Sequence, residues 1–351
     1  MDFNETLELY KKKVDNALEV FFDSLEVDGI DEFGEQLIGD IREFTLRGGK
    51  RIRAILVIFG YKAFYGEDEE EILKAAIAVE LMQSFLLVHD DIIDCDDKRR
   101  GKPTLHKLYE NRFSDSASNP SKLGKDLAIV TGDIASVLGQ RIIQDTDFDD
   151  FSKLRAIKIF NEAILKTCVG QALDIVSAYK SDLDESEIDS IHGLKTSTYT
   201  FEAPLMLGAA FAGADESDLQ ILKNFALPLG KAFQVHDDII GVFGEEKKLG
   251  KPIGSDLREG KKTFLISRAL ENGNEKEKNF LKNINGDKEI SEEEILKARK
   301  IIERTGSLDY SKEKTRGFVE EGLRNLNKLK INDEAKGFLE GLAVYMLDRK
   351  Y

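Results

Sequence analysis

Over long stretches of this chain apolar residues recur three and four positions apart, which demands helices that bury one face. Only 5 prolines occur in 351 residues, and no two alternating segments joined by a turn dipeptide read as a strand hairpin. Breaks at Gly48-Gly49, Tyr65-Gly66-Glu67, Asn111 to Gly124, Ser181 to Glu187, Ala212-Gly213, Gly244 to Gly260 and Asn272 to Asp287 divide the chain into roughly ten helices. No composition shift marks a linker and no short repeat marks a solenoid. The expectation is an all-α fold with residues 1–351 as one domain.

Charge narrows the function. A net charge of -15 is the opposite of what a nucleic-acid phosphate-backbone binder presents, so nucleic acid is not an expected partner. The two cysteines, Cys95 and Cys168, are too few for a disulfide framework or a four-ligand zinc site. The first residues carry Asp2, Glu5 and Glu8, so no signal peptide is expected. The longest apolar stretch, Ala75 to Val88, contains Glu80 and Gln83 and falls short of a bilayer crossing. A cytoplasmic protein without stable membrane insertion is the expectation.

Within that frame a pentapeptide repeats: His89-Asp90-Asp91-Ile92-Ile93 returns as His236-Asp237-Asp238-Ile239-Ile240, each copy closing a largely apolar helical stretch. In the first copy Asp90 and Asp94 are four apart and share a helix face, with Asp97 one turn on. Like charges at that spacing destabilise a helix, so a compensating cation is expected. A single acidic helix end can equally be a solvated surface; two copies on apolar helices favour a site. Carboxylates with no cysteine and no paired histidines nearby form an oxygen-only site suited to Mg²⁺, which completes its shell with water and phosphate oxygens. The implied ligand is a diphosphate.

Cations stand where a diphosphate would need them. Arg47-Gly48-Gly49-Lys50-Arg51-Ile52-Arg53 opens a helix, with Lys50 and Arg53 expected on one face. Lys98-Arg99-Arg100-Gly101-Lys102 follows the first acidic copy, and Lys251, Lys261 and Lys262 follow the second. Each group alone could be a solvated surface feature. Their joint placement beside both acidic copies favours anion binding, arginine reading phosphate as a fork and lysine as a point charge.

Taken together, these residues resemble the trans-isoprenyl diphosphate synthases, short-chain type, from Gly48 to about Arg349. The ordered set is Asp90-Asp91-Ile92-Ile93-Asp94, Arg99-Arg100-Gly101-Lys102-Pro103-Thr104, Gly170-Gln171-Ala172-Leu173-Asp174, Lys195-Thr196, Gln234-Val235-His236-Asp237-Asp238-Ile239-Ile240-Gly241, Gly250-Lys251 and Lys261. Two departures stand out: Gly241 replaces the third aspartate of the second motif, and Ala54 stands where many members have proline. The resemblance implies a single helical bundle around a deep central cavity, commonly a homodimer. It implies two or three Mg²⁺ held by Asp90, Asp94 and Asp237, with Asp91 and Asp238 supporting. Arg99, Lys195, Lys251 and Lys261 would contact the allylic diphosphate, and Lys50, Arg53, Gln83 and Arg100 that of isopentenyl diphosphate. Lys195, Thr196 and Gln234 would be catalytic, the last two offering oxygen dipoles to an allylic cation, while Gln171 and Asp174 line the cavity.

Dimethylallyl, geranyl and farnesyl diphosphates are the implied primers, and geranylgeranyl or farnesyl diphosphate the product. At 100° per residue Leu86 and Gln83 lie within about 40° of Asp90, flanked by Phe85. Phe85 is either plain core or, with Leu86, the element that limits chain length. In the family an aromatic there, with no insertion between Asp91 and Asp94, implies C20 or C15, and Thr196 to Pro204 is similar to archaeal geranylgeranyl synthases. Two alternatives remain at this stage. A class I terpene cyclase needs no second diphosphate pocket, and a non-catalytic partner subunit tends to lose its aspartates.

Overall fold

The computed structural model describes residues 2–180, 184–244 and 254–348. The regular elements among its described residues are helices and one ribbon of two two-residue strands, and the chain forms two compact units.

One unit comprises Met1–Asn161 and Pro204–Ala214. It contains α1 (Phe3–Ser24), α2 (Glu32–Leu46), α3 (Ile52–Ala63), α4 (Glu69–Ala76), α5 (Ala78–Ile93), α6 (Leu105–Arg112), α7 (Pro120–Gln144) and the start of α8 (Asp150–Ser177). The middle of helix α3, Ala54 to Phe59, is apolar on every side and wholly buried, as an all-round apolar stretch must be. Arg51 sits at its entrance in the left-handed region, φ 53°, bonded to Asp15 (2.7 Å), Glu80 (2.9 Å) and the Thr45 carbonyl (2.9 Å). Helices α5 and α7 pack side by side. A side chain at Gly132 of α7 would strike His89 of α5, its Cβ falling 2.8 Å from the imidazole.

The other unit comprises Glu162–Ala203 and Asp215–Tyr351. After the rest of α8 come α9 (Glu185–Ile191), a π-helical segment (His192–Glu202), the start of α10 (Ala203–Phe211) and α11 (Glu216–Phe243). They are followed by α12 (Ser255–Arg258), α13 (Phe264–Asn272), α14 (Glu275–Ile284), α15 (Glu292–Arg304), α16 (Ser307–Leu326) and α17 (Asp333–Asp348). Helix α11 is the spine, packed chiefly on α16 and the π-helical segment. Val235, Ile239 and Val242 on one of its faces join Leu257, Phe264, Ile295 and Ile302 in a buried cluster.

Several expectations need correction. Lys98–Arg99 and Lys102–Pro103 pair as a minimal antiparallel ribbon (β1, β2), where no hairpin was expected. Its turn residues, Arg100 and Gly101, have φ of 52° and 76°, both positive as a tight hairpin turn of the favoured twist requires. The break expected from Asn111 to Gly124 ends at Asn119, which caps α7 by accepting from Lys122 N. The break from Asn272 to Asp287 encloses α14, started by a reciprocal capping box between Asn274 and Glu277. Arg51 caps α3, so Lys50 precedes the helix and does not share a face with Arg53. Finally, Glu69–Ile93 does have the length and apolarity of a membrane span, but 67% of its richest window is buried in the protein. Such burial fits a core segment.

Candidate active site

The first acidic motif closes α5. Asp94 retains helical geometry and its N–H donates to the Asp90 carbonyl (2.8 Å), so the two carboxylates keep the expected common face. Cys95, at φ 60°, then turns the chain away. Asp97 therefore leaves that face and pairs with Lys107 at 3.4 Å, contrary to expectation.

Asp90 and Asp94 are half-buried, whereas Asp91 points inward and is buried. Arg99 holds Asp91 through Nη2 (2.5 Å) and Nε (2.6 Å), and stands 3.8 Å from both Asp90 and Asp96. Burial pushes the Asp91 carboxyl up to about 6, with the Arg99 guanidinium pulling the other way. Arg99 thereby ties the segment that follows to the acidic end of α5.

The same ribbon carries Arg100, whose Nη1 donates to the Gly48 carbonyl. Gly49, at φ 134°, holds a backbone conformation that L side chains rarely adopt, and a Cβ there would lie 3.0 Å from Arg100 Nη2. A small cleft there is lined by Arg47, Arg51, Gln83, Arg99 and Arg100 along with Phe44, Thr45, Ser84 and Leu87. Three residues expected to bind substrate, Gln83, Arg99 and Arg100, thus meet; Lys50 and Arg53 are not in the lining. Sequence reasoning missed Arg47 as a lining group. It sits directly before Gly48-Gly49 and bonds Glu43 (2.8 Å) and the Pro103 carbonyl (2.8 Å).

The second acidic motif lies in the last turns of α11 and divides in the same way: Asp237 is half-buried and Asp238 buried. Asp238 Oδ1 accepts from Gln234 Nε2 (2.8 Å), and Gln234 Oε1 accepts from Thr196 Oγ1 (2.7 Å). On its other side His192 Nε2 stands 3.2 Å from Asp238 Oδ2. His192 had no place in the sequence reading, and only the register of two elements reveals it. Lys195 Nζ donates to Asp174 (2.5 Å), joining two residues expected at the site. Lys261 bonds Glu259 (2.7 Å) and Asp256 (3.3 Å). Lys251 lies outside the described residues.

Gly241, where the family has a third aspartate, has a local reason: a Cβ there would fall 2.1 Å from Asp256 Oδ2. The Asp256 carboxylate of α12 thus occupies the space that a side chain at position 241 would take. Burial raises the Asp256 carboxyl, opposed by Lys261 and reinforced by Asp238 and Glu259.

Among the described residues no three histidine, cysteine or acidic side chains converge as a ready-made metal cage. The donor set still fits Mg²⁺, an ion that takes one or two carboxylates and fills its shell with water and phosphate oxygens. Asp90 and Asp94 in the one unit, and Asp237 in the other, each offer hard carboxylate oxygens at partly exposed positions. Phe85 is buried with its ring edge-to-face on His89 at 4.8 Å, and Leu86 is half-buried.

A profile of the polyprenyl synthetase family matches residues 35–302. A short chain isoprenyl diphosphate synthase from Methanocaldococcus jannaschii is 34% identical over 97% of this chain and 94% of its own. A geranylgeranyl diphosphate synthase from Saccharolobus solfataricus is 35% identical over 86% of this chain and 87% of its own. Among solved structures, geranylgeranyl pyrophosphate synthase from Corynebacterium glutamicum, complexed with isoprenyl diphosphate and magnesium, superposes with a TM-score of 0.90. It is 30% identical, with 100% of both chains covered.

Proposed function

The chain belongs to the polyprenyl synthetase family and is a short-chain trans-prenyltransferase; on that premise we propose that it condenses isopentenyl diphosphate with dimethylallyl, geranyl and farnesyl diphosphates. The product is geranylgeranyl diphosphate, with farnesyl diphosphate as intermediate or co-product. Residues 1–351 act as one functional domain in this reading.

Asp90 and Asp94 of the first motif and Asp237 of the second hold two or three Mg²⁺ against the allylic diphosphate. What supports this is the shared partition of the two motifs, the single observation that carries the reading. In each, the leading aspartate is half-buried, while the following one is buried and bonded to its own partner, Arg99 for Asp91 and Gln234 for Asp238. Asp91 and Asp238 thereby orient their neighbours. Mg²⁺, when bound, supplies charge neutralisation of the departing pyrophosphate.

The protein's own groups do the rest. Arg99, Lys195, Lys251 and Lys261 bind the allylic diphosphate, and Lys50, Arg53, Gln83 and Arg100 hold isopentenyl diphosphate; Arg47, beside Gln83 in the cleft, joins that second set. The bond from the allylic carbon to its diphosphate oxygen breaks. The double bond of isopentenyl diphosphate then supplies the electron pair for the new carbon–carbon bond, and a proton is lost to a pyrophosphate oxygen. Thr196 and Gln234 offer oxygen dipoles where positive charge develops. Exclusion of water protects the cation, so a dry cavity is part of the reading.

A cytoplasmic homodimer completes the proposal. Its support is a stripe of exposed apolar side chains along α8, Leu154, Leu165, Val169, Leu173 and Val176, with Val130 and Val137 exposed on α7. Both cysteines are free and exposed, in keeping with a reducing compartment. The site assignment is tested with Asp90→Asn and Asp237→Asn in an elongation assay that follows isopentenyl diphosphate consumption. Loss of about 10²-fold or more in kcat for both supports it. Normal turnover in either variant contradicts it, and allylic substrate consumed without isopentenyl diphosphate would indicate a cyclase.

A further inference from the structure

The π-helical segment His192–Glu202 and α11 run so that two pairs of side chains meet in register, His192 with Asp238 and Thr196 with Gln234. The approach is close because Gly230 has no side chain: a Cβ there would fall 2.4 Å from Ser197 Cα. Hydroxyls hold the wide turn itself, Ser197 Oγ donating to the His192 carbonyl (2.9 Å) and Thr198 Oγ1 to that of Gly193 (3.1 Å). Such π-turns recur at functional sites.

The order of hydrogen bonds follows from chemistry. His192 is buried, with its ring edge on Phe264 at 5.3 Å, and its Nδ1 has no hydrogen-bond partner among the described residues. Asp238 Oδ2 likewise has no hydrogen-bond partner among the described residues, and His192 Nε2, 3.2 Å away, makes a close polar contact with that buried carboxylate oxygen. The carboxylate can only accept, so Gln234 must turn its Nε2 to Asp238 and its Oε1 to Thr196. Thr196 must then donate its hydroxyl hydrogen to Gln234. Only its lone pairs remain to face outward.

We propose that His192 is a positioning residue for prenyl transfer, acting through Asp238 and Gln234 to hold the Thr196 oxygen with its lone pairs toward the developing allylic cation. The inference rests on the reading in which Thr196 and Gln234 border that cation. His192 also keeps the buried Asp238 from being left beside an apolar wall, which would loosen the amide that depends on it.

The test is a double-mutant cycle on the full-length protein with Mg²⁺, isopentenyl diphosphate and farnesyl diphosphate, reading kcat and both KM values, with folding followed by thermal unfolding. His192→Leu is expected to lower kcat roughly 10- to 100-fold with the KM for isopentenyl diphosphate little changed. His192→Gln, whose amide nitrogen reaches as far as Nε2, is expected to recover most of the loss. In a Thr196→Val background, His192→Leu should cost nothing further, because the group it orients is gone. If His192→Leu does not fold, the comparison of His192→Gln with His192→Met in both backgrounds decides in its place. Equal losses for the donor and non-donor variants, or a full additional loss on top of Thr196→Val, overturn the proposal. If Thr196→Val and Gln234→Leu both retain full kcat, the reading beneath it has failed instead.

Discussion

Arg51 and Arg53 stand two positions apart in the sequence, the first buried and the second half-buried. The Arg51 guanidinium is buried and shared between Glu80 and Asp15, which makes it an architectural cation in a run whose other charges are proposed to bind substrate. Removing one partner of a buried pair leaves the other charge uncompensated. Arg51→Met is therefore expected to destabilise the protein by about 3–5 kcal/mol in urea unfolding, and a change within experimental error would contradict this account. The sequence could not make the distinction, because a Gly-Gly-Lys-Arg run says nothing about a Glu80 that arrives from another helix. Position 241 raises the same issue. A carboxylate added by Gly241→Asp must displace the Asp256 carboxylate, so a lower melting temperature is expected, relieved when Asp256→Ala is added. An unrelieved loss in the double variant would point to strain elsewhere. At Phe85, packed on His89, a Phe85→Ser variant is expected to lengthen the prenyl product as read by chromatography. An unchanged distribution would leave Phe85 as ordinary core.

Among the helices, those with strong three-and-four periodicity were legible: α5 and α11 close on the repeated acidic pentapeptide as their apolar spacing implied. Helix α14 was not. Its flanks, Gly273-Asn274 and Asn285-Gly286, read as a loop, while the capping pattern Asn274 to Glu277 that starts the helix was overlooked. The ribbon at Lys98 to Pro103 escaped because two residues a side are too few to show alternation, and Arg100-Gly101 takes the turn role usually given to Asn-Gly. The π-helical segment is the hardest case. Nothing in a 3.6-residue pattern encodes a wider turn, yet this turn puts His192 and Thr196 in register with Asp238 and Gln234. Sequence reasoning could name Thr196 and Gln234 by resemblance. It could not supply the hydrogen bond that joins them, nor the histidine at its far end.

For the molecule as a whole, the acidic balance and the ordered motifs pointed to the reaction class, and the family match over residues 35–302 agrees. The exposed apolar stripe of α8 belongs to this scale. Leu154 and Leu165 are eleven residues apart, close to three full turns, so they share a face that Val169 and Val176 continue. Leu165→Glu with Val169→Glu is expected to convert a dimer into monomers, as measured by light scattering after size exclusion. An unaltered mass, or a wild-type monomer at micromolar concentration, would contradict the homodimer.

The most direct measurement is to incubate the purified protein with isopentenyl diphosphate and dimethylallyl, geranyl or farnesyl diphosphate, with and without Mg²⁺, and to identify the prenyl alcohols after phosphatase treatment. The account predicts C20 with some C15, formed only when the metal is present and abolished by a chelator. No elongation from any primer by a folded protein would contradict it.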